Sequence, residues 1–167
     1  MRIARILSMA AVLLIITAGA LPAGAEKAVD AKDDKAAVKR AVKGFYIALN
    51  AMFKGDVKPM KKVWSHAADV TYMGPDGEYL IGWEDTLKSW EQQASLKLGG
   101  RVKPDSFHYN IGEDIAVVHN FEHGKNYVDG KEWIVKIRAT NVFRKENGEW
   151  KMIGHHVDLL PYLKKGK

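Results

Sequence analysis

Apolar residues in the first half of the chain recur at the spacing of helices. Over residues 34–54 they fall every three or four positions, and Gly55 follows where a helix end needs a residue that tolerates the left-handed conformation. Asp56 can cap a second, short helix, and residues 83–98 repeat the same helical spacing. The pattern therefore predicts three helices, which precede most of the strands.

The second half of the chain changes to alternating apolar and polar positions, which is typical of strands. Asp129-Gly130 and Asn147-Gly148 are two-residue hairpin turns between such segments. The predicted strands are residues 68–73, 101–111, 114–128, 132–145 and 149–159. Strands of this length must bend, so we predict an α+β fold in which a curved antiparallel sheet wraps around three N-terminal helices. The resulting cone should be open at one end and enclose a cavity.

The first 25 residues have the pattern of a secretory signal peptide. Arg2 and Arg5 precede an apolar run that is shorter than the ~20 residues of a membrane span, and Ala23-Gly24-Ala25 is a small-x-small cleavage signature. We expect cleavage after Ala25 and a periplasmic or secreted protein that has no membrane segment; an uncleaved anchor is the alternative. The other predicted boundaries are a flexible lead-in at 26–33, a single domain at 34–161 and a basic tail at 162–167.

Composition narrows the chemistry that the chain can perform. Apolar residues make up 47% and charged residues 28% of the 167 positions, which is ordinary for a globular domain. The chain has no cysteine, so disulfides, thiolate catalysis and iron–sulfur clusters are excluded. The net charge is +6, but the lysines are spread along the chain without an arginine–aromatic stripe, and binding to nucleic acid is not predicted.

Three segments carry a resemblance to a known family: ALNAMFKGD at 48–56, VTYMGPDG at 70–77, and the hairpin ATNVFRKENGEWKMIGHHVD at 139–158. Their order and spacing resemble the SnoaL-like branch of the nuclear transport factor two-like superfamily over about residues 38–162. The resemblance implies the cone fold and a homodimer that forms through the outer face of the sheet. It leaves function open, because this fold hosts isomerases, cyclases, dehydratases and non-catalytic binding or assembly modules.

Ketosteroid isomerase, one member of that superfamily, allows a comparison residue by residue. Its catalytic aspartate precedes the proline of the first-strand turn, where this chain has Gly74 after Met73. Its second, protonated aspartate falls near residues 139–141, where no carboxylate occurs, and its helix tyrosine has only Tyr46 as a loose counterpart. The isomerase mechanism is therefore not expected to carry over.

Alternation along the strands defines two faces of the sheet. By apolarity alone, the core-facing side of the second long strand would hold Ile115, Val117, His119, Phe121 and His123. Matching to the relatives instead places that set on the outer, dimer-forming face. The matched inner set is Ala116, Val118, Asn120 and Glu122, then Ala139 and Asn141, then Ile153, His155 and Val157.

The inner face holds the candidate chemistry. Glu122 and His155 are the candidate catalytic residues, because burial raises the pKa of a carboxylate and imidazole titrates near neutrality. The candidate ligand-binding residues, which supply oxyanion donors and aromatic walls, are Tyr46, Trp64, Tyr72, Asn120, Asn141 and Val157. We predict a small, largely apolar ligand and, where chemistry occurs, an isomerase, dehydratase or hydrolase that works by general acid–base catalysis.

The same residues allow other interpretations. Glu122 could pair with a lysine or arginine at the rim while the amide and tyrosine groups satisfy each other, which would make the protein a non-catalytic ligand-binding or assembly module. Trp64 could be an ordinary core residue. No metal or cofactor is predicted, since His119 and His123 share a strand face but lie about 13 Å apart, too far for one ion.

Overall fold

The computed structural model describes the backbone of residues 23–163 and the side chains of residues 33–163. Most of the predicted signal peptide and residues 164–167 of the predicted basic tail lie outside the described residues. The elements are α1 Ala23–Met52, α2 Lys58–Val63, β1 Thr71–Met73, β2 Tyr79–Ile81, α3 Trp83–Leu96, β3 Arg101–Ile111, β4 Ile115–Val128, β5 Lys131–Glu146, β6 Glu149–Val157 and a short 3-10 helix, Pro161–Leu163. This order confirms the predicted α+β fold. Within the described residues, no helix has the length and apolar content needed to cross a bilayer.

The first helix is longer than the apolar spacing predicted. It begins at Ala23 rather than near residue 34, so the helix includes the segment 26–33 that the sequence analysis treated as a separate lead-in. The segment reads EKAVDAKD, which contains no glycine or proline and is rich in good helix formers, so nothing in it stops the helix. The C-terminal end of α1 is where the sequence predicted it: Gly55 has a φ of 93° and donates its N–H to the carbonyl of Met52.

The sheet has six strands in the order β2-β1-β6-β5-β4-β3, and it is curved but not closed. All neighbours are antiparallel except β1 and β6, which run parallel with Thr71 opposite Gly154. Sequence reasoning missed β2, because a three-residue strand is too short to show alternation. The predicted hairpin turns are confirmed: Asp129 and Asn147 have φ values of 51° and their glycine partners are also positive.

Helix α1 and helix α3 pack on the concave face of the sheet and form the core. Phe45 of α1 and Trp90 of α3 are at most 1% exposed, as is Phe143 of β5. Along β4 the matched inner set is buried, whereas Ile115 and Phe121 of the opposite set are each 43% exposed. The face assignment from the family resemblance is therefore confirmed, and the assignment from apolarity alone is wrong.

One inner position departs from the prediction. The pairing of β5 with β6 shifts register between Val142 and Phe143, which leaves Ile153 as an extra residue on β6. Because side chains alternate with a period of two, one extra residue exchanges the faces on its far side. Met152 therefore lies in the core at 0% exposure, while Ile153 is only half-buried.

The residues that follow β6 pack back on the domain. The N–H of Leu160 donates to the carbonyl of Pro75 over 2.8 Å, which ties the C-terminal segment to the turn after β1. The ring of Tyr162 stacks on that of Trp133, with centroids 4.8 Å apart. Leu160 and Leu163 then cover the end of the cone, because their apolar side chains gain burial there.

Candidate functional site

Four elements bring five polar side chains together inside the cone. Tyr46 comes from α1, Asn120 and Glu122 from β4, Asn141 from β5 and His155 from β6. Each is at most 5% exposed. Asn141 and His155 face each other directly in the pairing of β5 with β6, and the other residues follow from the alternation along β4. The sequence analysis named all five, and the structure places them in one cluster.

These side chains form an unbroken chain of hydrogen bonds. His155 Nδ1 lies 2.7 Å from Asn141 Oδ1, and Asn141 Nδ2 donates to Asn120 Oδ1 over 2.9 Å. Asn120 Nδ2 then donates to Tyr46 Oη over 2.7 Å, and the Tyr46 hydroxyl donates to Glu122 Oε1 over 3.0 Å. Buried polar groups that are paired in this way are held in single orientations.

A backbone carbonyl sets the direction of this chain. Asn120 Nδ2 also donates to the carbonyl of Phe121 over 2.9 Å, and a carbonyl can only accept, so the Asn120 amide has one possible orientation. Asn141 must then present its NH₂ group to Asn120 and its oxygen to His155. The hydrogen of neutral His155 therefore sits on Nδ1, and Nε2 carries a free lone pair.

Burial shifts the two titratable groups at the ends of the chain in opposite directions. Desolvation raises the pKa of Glu122 to about 7, against the smaller opposing effect of the hydrogen bond from Tyr46. Desolvation, with a contribution from His156, lowers the pKa of His155 to about 3. His155 Nε2 lies 4.0 Å from Glu122 Oε1, and no lysine or arginine of the described residues pairs with Glu122. The alternative of a rim ion pair is therefore not what the structure shows.

This result changes the expected role of His155. The sequence analysis assumed an imidazole that titrates near neutrality, but a histidine with a pKa of about 3 stays neutral at pH 7. Its bare Nε2 can accept a hydrogen bond and orient a bound molecule, but it cannot act as a general acid. Glu122 is the one group of the cluster whose pKa lies near neutral pH.

Tyr72 lines the site beside His155. The two residues are opposite each other in the pairing of β1 with β6, and their rings are nearly parallel with centroids 6.0 Å apart. Gln93 of α3 donates to the Tyr72 hydroxyl over 2.9 Å, and desolvation raises the pKa of that hydroxyl above its ordinary value. Tyr72 therefore remains a neutral phenol that is held by α3.

Trp64 does not serve as the predicted stacking platform. It is 1% exposed and packs in the core against Tyr72 and Trp90, with ring centroids 6.5 and 6.0 Å away. Trp90 occupies the expected position instead and lines the cavity together with Gln93. The spacing of these two residues, one turn apart on α3, was the signal that could have identified this wall.

The cavity inside the cone is much smaller than expected. It measures about 40 Å³, against the ~300–1,000 Å³ of ordinary ligand pockets, and has room for a few water molecules at most. Its lining includes Tyr72, Trp90, Glu122, His155 and Val157, so the site residues do face it. Leu160 and Leu163 of the C-terminal segment also line it. The prediction of a ligand-sized hollow is therefore wrong for this conformation, in which large side chains from the helices, the sheet and the C-terminal segment crowd the interior.

The structure explains why no aspartate stands before Pro75. A Cβ atom on Gly74 would lie 2.8 Å from the Tyr72 hydroxyl, which is closer than real side chains approach. A side chain at residue 74 would therefore displace Tyr72 from its bond to Gln93. The carboxylate of this site comes from β4 instead, as Glu122, and in the described residues no group of three or more His, Asp or Glu side chains could hold a metal ion.

The curved sheet and the polar cluster on its concave face define the class: a cone of the nuclear transport factor 2-like type. The profile of the SnoaL-like domain family matches residues 38–160. The protein belongs to this SnoaL-like family.

Solved structures support the same fold. One is an NTF2-like family protein from Streptomyces avermitilis, named as a proposed dehydratase, with 23% identity, a TM-score of 0.67 and coverage of 77% of this chain and 98% of that one. Another is an association domain proposed for calcium/calmodulin-dependent protein kinase type II from Thiobacillus denitrificans, with 25% identity, a TM-score of 0.62 and coverage of 73% and 94%.

Among curated proteins, the chain is 26% identical over 106 residues to the F-box protein SKIP8 of Arabidopsis thaliana. The match covers 62% of this chain but only 42% of the plant protein. It therefore concerns one part of that relative and says nothing of the rest.

Proposed function

We propose that the protein binds a small, largely apolar molecule at the inner cavity and moves a proton on it, with Glu122 as the acid and base. One observation carries this proposal: a fully buried carboxylate with a pKa of about 7 faces an unprotonated imidazole nitrogen 4.0 Å away and has no lysine or arginine partner in the described residues. A structural carboxylate would gain from such a partner, whereas a proton-transfer group works best with a pKa near the working pH.

The geometry assigns a role to each group. Near pH 7 Glu122 is partly ionised, so it can take a proton from carbon and return it at another position. The hydroxyl of Tyr46 stabilises the carboxylate, and Nε2 of His155 accepts a hydrogen bond that orients the substrate. A single group that removes and returns a proton suits an isomerase or dehydratase better than a hydrolase.

Access to the site requires a movement at the mouth of the cone. The side chains of Leu160 and Leu163 line the cavity, and the segment is held by a backbone hydrogen bond to Pro75 and by the stacking of Tyr162 on Trp133. Displacement of this segment would enlarge the cavity without breaking the polar cluster. We therefore expect Leu163→Ala to increase the rate of ligand entry, whereas Ile81→Ala, at a β2 side chain that is 58% exposed, should not.

Proton transfer can be tested without knowing the substrate. A panel of small cyclic ketones is incubated with the protein in D₂O, and deuterium incorporation beside the carbonyl is followed by NMR. We expect exchange with the wild type, with an apparent pKa near 7, and a loss of about 100-fold or more with Glu122→Gln. Glu113→Gln, at an exposed hairpin position, is the matched control. Equal exchange in both variants would remove Glu122 from the mechanism.

A non-catalytic binding or assembly module is the second candidate. The nearly filled interior and the hydrogen bonds that join the polar side chains to one another favour it, and one structural neighbour is named as an association domain. Retained binding of a ketone without any exchange would support this function over the first.

We also propose that the protein is a homodimer through the convex face of the sheet. Ile115, Phe121 and Ile134 are 43%, 43% and 64% exposed on that face, where a partner copy would cover them. Sedimentation equilibrium should give twice the chain mass, and Phe121→Glu with Ile134→Glu should give the monomer.

Export is the remaining part of the proposal. The N-terminal pattern supports cleavage after Ala25, which lies within the first turn of α1. N-terminal sequencing of the protein recovered from the periplasm or medium should begin at Glu26. Recovery of the intact N terminus with the membrane fraction would favour the uncleaved anchor.

A further inference from the structure

A second, much larger recess lies outside the cone. It runs between α1 and β3 and measures about 920 Å³, which falls in the range of small-molecule sites. It is not the mouth of the inner cavity: Val102 of β3 is the residue that lines both, and it is 2% exposed. We call this recess the α1–β3 groove. Tyr46 also lines the groove, but its hydroxyl bonds to Glu122 of the inner cluster, and the function proposed above uses no other side chain of the groove.

The rim of the α1–β3 groove is strongly basic. Its five cationic side chains, which come from both walls and are all exposed, are Lys39, Lys43, Lys54, Arg101 and Lys103. Within the described residues none of them forms an ion pair with a carboxylate. Asp56 is the single acidic residue of the lining, and it accepts the backbone N–H of Lys58. Five unneutralised cations around one recess attract an anion.

The floor of the groove is apolar. Ile47 of α1 is 59% exposed and Phe107 of β3 is 38% exposed, and both line the groove. Ile47 lies one turn after Lys43 and one turn before Ala51, so an apolar stripe runs along the helix between lysines. A large exposed isoleucine in such a stripe is unfavourable in water and gains most from an apolar ligand.

The edge of β3 is poorly suited to pairing with an added strand. The N–H and carbonyl of Val102 are both occupied by the side chain of Asn50, at 2.8 Å each. Pro104 has no N–H to offer, and the strand has a register shift between Asp105 and His108. The occupant of the groove is therefore one that does not need backbone hydrogen bonds.

We propose that the α1–β3 groove binds a single-chain amphipathic anion of the fatty-acid type. The carboxylate would lie among the cations of the rim, and the alkyl chain would cover Ile47 and Phe107. The charge of the rim selects the head group and the apolar floor selects the tail, so both parts of the ligand are required.

The test uses decanoate below its micelle concentration, titrated into the full-length protein by isothermal calorimetry. Decyltrimethylammonium, which has the same tail and the opposite charge, and acetate, which has the head without the tail, should bind at least about tenfold more weakly. If decyltrimethylammonium bound as tightly as decanoate, the groove would be an apolar surface without charge selectivity. If hexaglutamate bound as tightly as decanoate, the groove would be a general polyanion surface. Either result would overturn the proposal.

Variants locate the site. Lys43→Glu with Arg101→Glu should weaken decanoate binding by about tenfold or more. Lys62→Glu with Lys131→Glu makes the same change in net charge at exposed positions of α2 and β5 outside the groove and should leave binding within about twofold. Ile47→Ser, at an exposed helix position that does not threaten folding, should weaken binding through loss of the tail contact. Equal effects of the two charge-reversal pairs would contradict a site in the groove.

Discussion

Glu122 and Asp158 are carboxylates on opposite sides of one sheet, and their surroundings drive them in opposite directions. Asp158 receives two hydrogen bonds from the guanidinium of Arg138, at 2.9 and 3.0 Å, and this partner lowers its pKa. Glu122 is buried without a lysine or arginine partner in the described residues, and desolvation raises its pKa to about 7. Solvent and the guanidinium of Arg138 keep Asp158 charged at neutral pH. Glu122 has neither, so its carboxyl group can both donate and accept a proton.

The largest effect should come from breaking the inner cluster at its centre. Asn141→Leu leaves His155 Nδ1–H and Asn120 Oδ1 without partners inside the cone, and should cost about 2–5 kcal/mol of unfolding free energy. Thr140→Ala removes a hydrogen bond to His119 on the convex face of the same strand, and should cost less than about 1 kcal/mol. Urea unfolding measures both. Equal losses would show that the two faces do not differ in this way.

The pH dependence of stability should separate the two carboxylates. The pKa of Glu122 rises from 4.5 to about 7 on folding, so its favourable contribution is fully present below pH 4.5 and is lost as the pH rises through 7. The loss amounts to about 3 kcal/mol, and Glu122→Gln should abolish it. Asp158→Asn is the control: the pKa of Asp158 is lowered, so that variant should lose stability above the ordinary carboxylate range. The loss should not exceed about 1 kcal/mol, because the side chain is 40% exposed.

Over the interval from pH 6.5 to 5, His155 should produce a smaller effect of the opposite sign. Its pKa falls from 6.5 to about 3 on folding, so its contribution is fully present above pH 6.5 and is lost as the pH falls through 3. Between pH 6.5 and 5 this amounts to about 2 kcal/mol. Unfolding of the wild type and of His155→Gln across that interval measures it, and the variant should show a flatter dependence. An unchanged slope would mean that water reaches the imidazole.

The direction of the hydrogen-bond chain can be checked with no change in stability at all. ¹⁵N-detected NMR of the imidazoles should show His155 protonated at Nδ1 at pH 7, with His155→Gln identifying the signal. Protonation at Nε2 would mean that the Asn141 amide is reversed, and the proposed acceptor role of Nε2 would then fail.

How far sequence reasoning reached is clearest along β4. Alternation alone chose the wrong face, since Ile115, Val117 and Phe121 look more like a core than Asn120 and Glu122 do. The family resemblance corrected the choice, because the fold of the relatives also indicates which face of the sheet the helices cover. Neither alternation nor the family resemblance could predict the small cavity, since its lining brings together residues that are far apart in sequence, such as Pro75 and Leu160.

Neighbouring residues and composition were enough to predict the helices, the long strands and the hairpin turns and to exclude cysteine chemistry. The other features arise only from tertiary contacts: the unprotonated nitrogen of His155, the raised pKa of Glu122 and the small volume of the cavity. Each of these depends on which atoms of α1, β4, β5 and β6 come within a few ångströms of one another and on whether water is excluded between them.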